Sequence, residues 1–177
     1  MTESLTDSAA PAPRRATVRF MLSHPAHAIG LGFGSGLSPI APGTAGTLWA
    51  WVAYLVMQQY LTTWQIGAVI VAATLLGWWA CTVCARNLQT TDPSHIVWDE
   101  VVAFWLVLWL VMPASFWGQA IAFALFRFFD AAKPGPVGWA DDLFHGFGWK
   151  GGFGILFDDF VAAFCTLLVI ALWRFIV

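Results

Sequence analysis

The chain alternates between long uncharged runs and short segments dense in glycine, proline and charge. From Thr44 to Ala85 there is no Asp, Glu, Lys, Arg or His, and the one polar break is QQYLTTWQ, Gln58 to Gln65. This predicts two helices joined by a tight turn: Thr44 to Leu61, about 27 Å long, and Ile66 to Arg86, about 31 Å. A second run, Val101 to Phe126, is interrupted at Met112-Pro113-Ala114-Ser115. Proline costs a helix interior about 3 kcal/mol and pushes its predecessor out of the helical region, so a turn and two short helices are predicted, each about 24 Å, with one kinked span as the alternative. A last run, Phe160 to Val177, predicts a fifth helix, with Arg174 near enough to its end to snorkel. The expected fold is all-α: a polytopic membrane bundle of four to five helices with glycine-rich cytoplasmic loops.

Two hairpins and a final span would bring alternate segments to one side. That side would hold seven of the eight basic residues (Arg14, Arg15, Arg19, Arg86, Arg127, Lys133 and Lys150), which makes it cytoplasmic by the positive-inside rule. Eight of the ten acids share it: Asp92, Asp99, Glu100, Asp130, Asp141, Asp142, Asp158 and Asp159. Loops are where charge is tolerated, but that does not explain why the opposite loops are empty.

Composition narrows the class further. With 177 residues, 59% apolar and 10% charged, and mean hydropathy +0.72, the chain is unlike a water-soluble globule and long enough for one domain. Residues 1–20 read as a disordered polar tail without the apolar core of a signal peptide, and residues 21–177 as a single membrane-embedded domain. A net charge of −2 offers no basic field for nucleic acid, and three cysteines make no disulfide framework. Cys81 and Cys84 read as buried packing residues.

Candidate chemistry lies at the charged ends. SPIAPGTAGT ends a glycine-rich loop with Thr44 as an N-cap; free N–H groups and the helix dipole there suit phosphate, although an ordinary capped turn looks the same. Asp99 and Glu100 open the third helix, where acids also simply complement the dipole. Arg127 and Asp130 share a helix face and could be a structural pair, while Arg127 with Lys133 could hold phosphate oxygens. Asp158 and Asp159 start the last helix in the same manner as Asp99 and Glu100. Converging acids need a cation to relieve their repulsion, and hard oxygen donors without a Cys or His cluster point to Mg²⁺. His24, His27, His95 and His145 form no ligand spacing.

Four segments in order, GLSPIAPGTAGTLWAW, IVWDEVVAFW, FRFFDAAKPGPV and GFGILFDDFVAAF, resemble the signature segments of phosphatidylglycerophosphatase A. The resemblance covers about Gly30 to Phe164. It implies a bacterial inner-membrane, Mg²⁺-dependent phosphatase that converts phosphatidylglycerophosphate to phosphatidylglycerol. The pattern falls on Pro42, Gly43, Thr44 and Gly46, on Asp99 and Glu100, on Arg127, Asp130, Lys133 and Pro134, and on Gly154, Asp158 and Asp159. Ala103 and Ala163 stand where the family has glycine, and Gly135 where tryptophan is common.

Residues and resemblance together give a working expectation. Asp99, Glu100, Asp130, Asp158 and Asp159 hold one or two Mg²⁺; Arg127 and Lys133, with Gly43, Thr44 and Gly46, hold phosphate. Water is the attacking group, with an aspartyl-phosphate route as rival. An inner-membrane ion or metal transporter is the alternative from another class, disfavoured because the spans carry no ionisable group near their middles.

Overall fold

The computed structural model describes residues 14–90, 94–144, 146 and 148–176; Asp92, His145 and most of the expected N-terminal tail lie outside that set. The described residues are helical and contain no strand. Two short helices, α1 (Val18–Leu22) and α2 (Pro25–Gly30), lead through a 3₁₀ turn (Gly32–Leu37) to α3 (Pro42–Tyr60). There follow α4 (Thr63–Leu88), α5 (Trp98–Val111), α6 (Phe116–Ala132), α7 (Pro136–Leu143) and α8 (Trp149–Ile176). By length and apolarity α4 and α8 can each cross a membrane.

Local chemistry sets the boundaries. The QQYLTTWQ break becomes a two-residue joint in which Thr62 caps α4, its hydroxyl accepting from Gln65 N–H while the Gln65 side chain accepts from Thr62 N–H. At the second break the chain leaves the helix at Met112 and restarts after Ser115, whose hydroxyl accepts from Gly118 N–H, so Val101 to Phe126 forms two helices rather than one kinked rod.

Helix α5 is the core. It packs against α3, α4, α6 and α8, and Val101 through Trp105, Val107, Leu108 and Val111 are all buried. A helix apolar on every face belongs inside a bundle. Its 14 residues span only about 21 Å, and its neighbours cover most of its surface. The indole N–H groups of Trp98, Trp105 and Trp109 donate to Ala73 O, Ala50 O and Thr63 O at 3.0, 2.8 and 2.9 Å, tying α5 to α4, α3 and the start of α4. Outside the bundle, α2 is pinned to α4 by His27, which accepts from Asn87 at 2.8 Å and donates to Phe20 O at 2.9 Å. Burial holds the His27 imidazole below its usual pKa, which favours the neutral ring that this pairing needs.

Helix α8 departs from the sequence expectation. It begins at Trp149, not Phe160, so Asp158 and Asp159 lie in its third turn rather than at its entrance. The glycines that suggest a loop are instead used for close packing: a Cβ on Gly152 would collide with the Thr82 hydroxyl and lie 3.0 Å from Thr82 Cα. Gly152→Val should therefore force α4 and α8 apart, costing about 3 kcal/mol. The check is a thermal midpoint in detergent several degrees below wild type.

Candidate active site

Four helix segments meet at one end of the bundle: the start of α3, the start of α5, the end of α6 and the third turn of α8, with α7 alongside. They enclose a cavity of about 350 Å³ lined by six carboxylates (Asp99, Glu100, Asp130, Asp141, Asp158 and Asp159) and two cations, Arg127 and Lys133. The turn beyond the opposite ends of α3 and α5 carries no charge, and there Arg174 donates to Val111 O at 3.0 Å.

The carboxylates divide into two sets. Asp99, Glu100 and Asp159 each offer an oxygen within 4.8 Å of the others. Asp99 Oδ1, Glu100 Oε2 and Asp159 Oδ2 are buried and have no hydrogen-bond partner. Buried polar atoms are seldom left unpaired, and three anionic oxygens pointing together fit a hard divalent cation such as Mg²⁺. Asp130 and Asp158 instead hold the cations. Arg127 is paired with Asp130, lies 3.6 Å from Glu100 and donates to Thr47 at 3.4 Å. Lys133 bridges Asp158 at 2.8 Å and Asp141 at 2.6 Å.

Lys133 sits just past α6 in left-handed backbone, which turns its side chain back over the cavity. Partial burial pulls its pKa down, but hydrogen bonds and charge from Asp141 and Asp158 outweigh that and leave it raised. Stabilisation from a raised lysine is complete below the unfolded value of about 10.4 and is lost only as pH climbs through the folded one.

The proposed phosphate loop is only partly at the site. Ala41, Pro42 and Gly43 line the cavity. Helix α3 starts at Pro42 after Ala41, which is left-handed and gives no side-chain cap. Thr44 is thus the third helical residue, not the N-cap, and is not among the lining residues. Gly46 packs on Val97, where a Cβ would fall 2.7 Å from Val97 Cβ. Gly43 is essential to the geometry, because a Cβ there would strike Glu100 Oε1 and approach Arg127 Nη2 to 3.0 Å. The first N–H groups of an uncapped helix lack partners inside it and can receive an anion. His95 is engaged elsewhere, with Gly36 O at 2.8 Å.

Residues 28–174 match the phosphatidylglycerophosphatase A family. The chain belongs to that family. It is 38% identical to phosphatidylglycerophosphatase A of Escherichia coli (strain K12) over 146 residues, covering 81% of this chain and 80% of that one. It is 34% identical to phosphatidylglycerophosphatase A of Haemophilus influenzae over 152 residues, covering 86% and 90%. A Bacteroides thetaiotaomicron protein named as a candidate phosphatidylinositol-3-phosphatase is 39% identical over 159 residues, covering 84% and 93%. No solved structure matches. Family membership makes the chain a phosphatase of phosphate monoesters, and the ion-transport reading finds no support.

Asp141 and Thr47 are the site residues that sequence reasoning missed. Asp141 reaches Lys133 only because the Pro134-Gly135-Pro136 turn doubles α7 back, which no helical spacing reveals. Thr47 is buried, bonded to Gly43 O at 2.8 Å, and sits one turn after a recognised motif residue.

Two outcomes are expected. Gly43→Val should displace Glu100 and Arg127 and lower phosphate release about 100-fold while circular dichroism stays helical. The pH profile of release should show no lysine inflection from about pH 7 to about pH 10, and Lys133→Gln should depress it throughout that range.

Proposed function

We propose that this phosphatase hydrolyses phosphatidylglycerophosphate to phosphatidylglycerol and phosphate, with Mg²⁺, at the cytoplasmic face of a bacterial inner membrane. The observation that carries the reading is the trio of unpartnered buried carboxylate oxygens from Asp99, Glu100 and Asp159 beside Arg127 and Lys133. The relatives named for phosphatidylglycerophosphate support the substrate.

Asp99, Glu100 and Asp159 would hold the metal. Bound there, Mg²⁺ supplies neutralisation of phosphate charge and a lowered pKa for coordinated water. Arg127 and Lys133 take the non-bridging phosphate oxygens, each with a carboxylate that fixes its position. The open N-terminus of α3 adds the backbone N–H of Gly43 to the same phosphate, Pro42 having none to give. Asp158, held by Lys133 through Oδ2, keeps Oδ1 buried and unpartnered, and is the carboxylate placed to accept a proton from attacking water. The ester P–O bond breaks as the bond from water forms, and the proton taken by Asp158 passes to the departing lipid alkoxide. In the rival route an aspartate itself attacks phosphorus; labelled substrate would then leave phosphate on the protein.

The proposed topology has five spans, α3, α4, α5, α6 and α8, with the acidic end inside. It follows from the one-sided charge and from the contacts that gather the four motifs at one end.

Asp99→Asn and Asp159→Asn should each reduce Mg²⁺-dependent release from phosphatidylglycerophosphate about 10²- to 10³-fold and weaken Mg²⁺ binding by calorimetry, with helix content kept. Undiminished release after complete chelation would defeat the metal reading. The same assay on phosphatidic acid and phosphatidylinositol 3-phosphate reads head-group choice. In a cysteine-free background, Ile40→Cys should label from the cytoplasmic side and Thr62→Cys from the opposite side.

A further inference from the structure

At the end of the bundle remote from the acids, α6 and α8 diverge. They leave a groove of about 410 Å³ lined by Val111, Gly118, Ile121, Leu125, Val169, Ile170 and Trp173, with Arg174 at its mouth. Arg174 lies 15 residues beyond Asp159 on α8, about 22 Å along the axis, so this groove is separate from the phosphatase cavity. Its walls are apolar and open outward: Ile121 is 58% exposed and Trp173 67%.

Arg174 is unusual in its surroundings. The turns that share its end, residues 58–66 and 108–120, contain no charged residue, and among the described residues no carboxylate reaches it. Among the described residues its hydrogen bond goes to Val111 O, an end carbonyl of α5, at 3.0 Å. That bond anchors the guanidinium at the head of the groove and uses one of its five N–H donors. Arg174 is exposed beside the apolar walls, and its spare donors in planar fork geometry suit an oxyanion such as phosphate.

We infer that this groove binds one anionic phospholipid of the leaflet opposite the active site, with an acyl chain between α6 and α8 and its phosphodiester on Arg174. Charge complementarity selects the occupant. A second copy of the chain would have to present an anion here, and every acid described in this chain lies at the other end or beyond it. A zwitterionic lipid fits the apolar walls but brings its own cation to Arg174. Trp173 beside Arg174 is the aromatic and basic pair expected at a headgroup boundary. The inference rests on the five-span arrangement proposed above and is independent of the identity of the reaction.

The test is native mass spectrometry of the full chain released from nanodiscs of equal phosphatidylglycerol and phosphatidylcholine. Wild type should retain phosphatidylglycerol about fivefold over phosphatidylcholine. Arg174→Gln, which can still donate to Val111 O, should abolish that preference, and Arg174→Lys should keep part of it. Ile121→Trp, which fills the groove, should reduce retention of both lipids, with phosphate release by all three variants unchanged. Equal retention by wild type and Arg174→Gln overturns the site. Labelling of Ser115→Cys from the acidic face overturns it in a different way, by removing the topology beneath it while leaving the phosphatase reading intact.

Discussion

Six carboxylates and two cations share one cavity in an otherwise apolar bundle. Ionised groups in a poorly solvated site must be paired or must ligate something, because the desolvation cost is several kcal/mol per ion even after relaxation. Asp130 and Asp158 meet that demand with Arg127 and Lys133. Asp99 and Asp159 have no such cation and Glu100 has only Arg127 at 3.6 Å, with Asp99 Oδ1, Glu100 Oε2 and Asp159 Oδ2 left without partners, and that deficit of positive charge defines the site. The proposed function answers it with a divalent cation and a phosphate: the cation would relieve the acids, and the phosphate would relieve the cation and the two basic side chains.

The rest of the architecture keeps that cluster from relaxing. Were the helices free to slide, the acids would separate and hydrate. Helix α5 carries Asp99 and Glu100 and is fixed along its length by indole bonds to three places on α3 and α4. Helix α8 carries Asp158 and Asp159 and is held against α4 at backbone distance through Gly152. Gly43 lets Glu100 and Arg127 lie against the first turn of α3. Side-chain volume removed at Gly43 and Gly152, together with the indole bonds, is how the bundle brings four segments around one cavity.

Much of this was legible in the sequence because it follows from charge and helix period. The Thr44 to Ala85 run gave two helices, the Met112-Pro113 break gave two more, and the acids were assigned to one end. What escaped was decided by packing. The glycines between Gly151 and Gly154 look like a loop by composition, but Gly152 packs on Thr82 of α4 and Gly154 on Phe144, contacts that the sequence does not reveal. Thr44 looks like an N-cap by residue type, yet the left-handed Ala41 starts the helix three residues earlier. Asp141 could not be found because its partner lies across a proline turn, and Gly46 was drawn into the phosphate loop although its role is to admit Val97.

The longer α8 changes the physical setting of the chemistry. Asp158 lies nine residues past Trp149, so about 13 Å of helix extends beyond the acids, with α7 packed on it and Phe144 stacked edge-on against Phe153 and Phe157. The carboxylates are therefore recessed beneath a roof rather than displayed at a helix tip. A recessed site excludes bulk water, which strengthens every ion–dipole and ion–ion contact inside it.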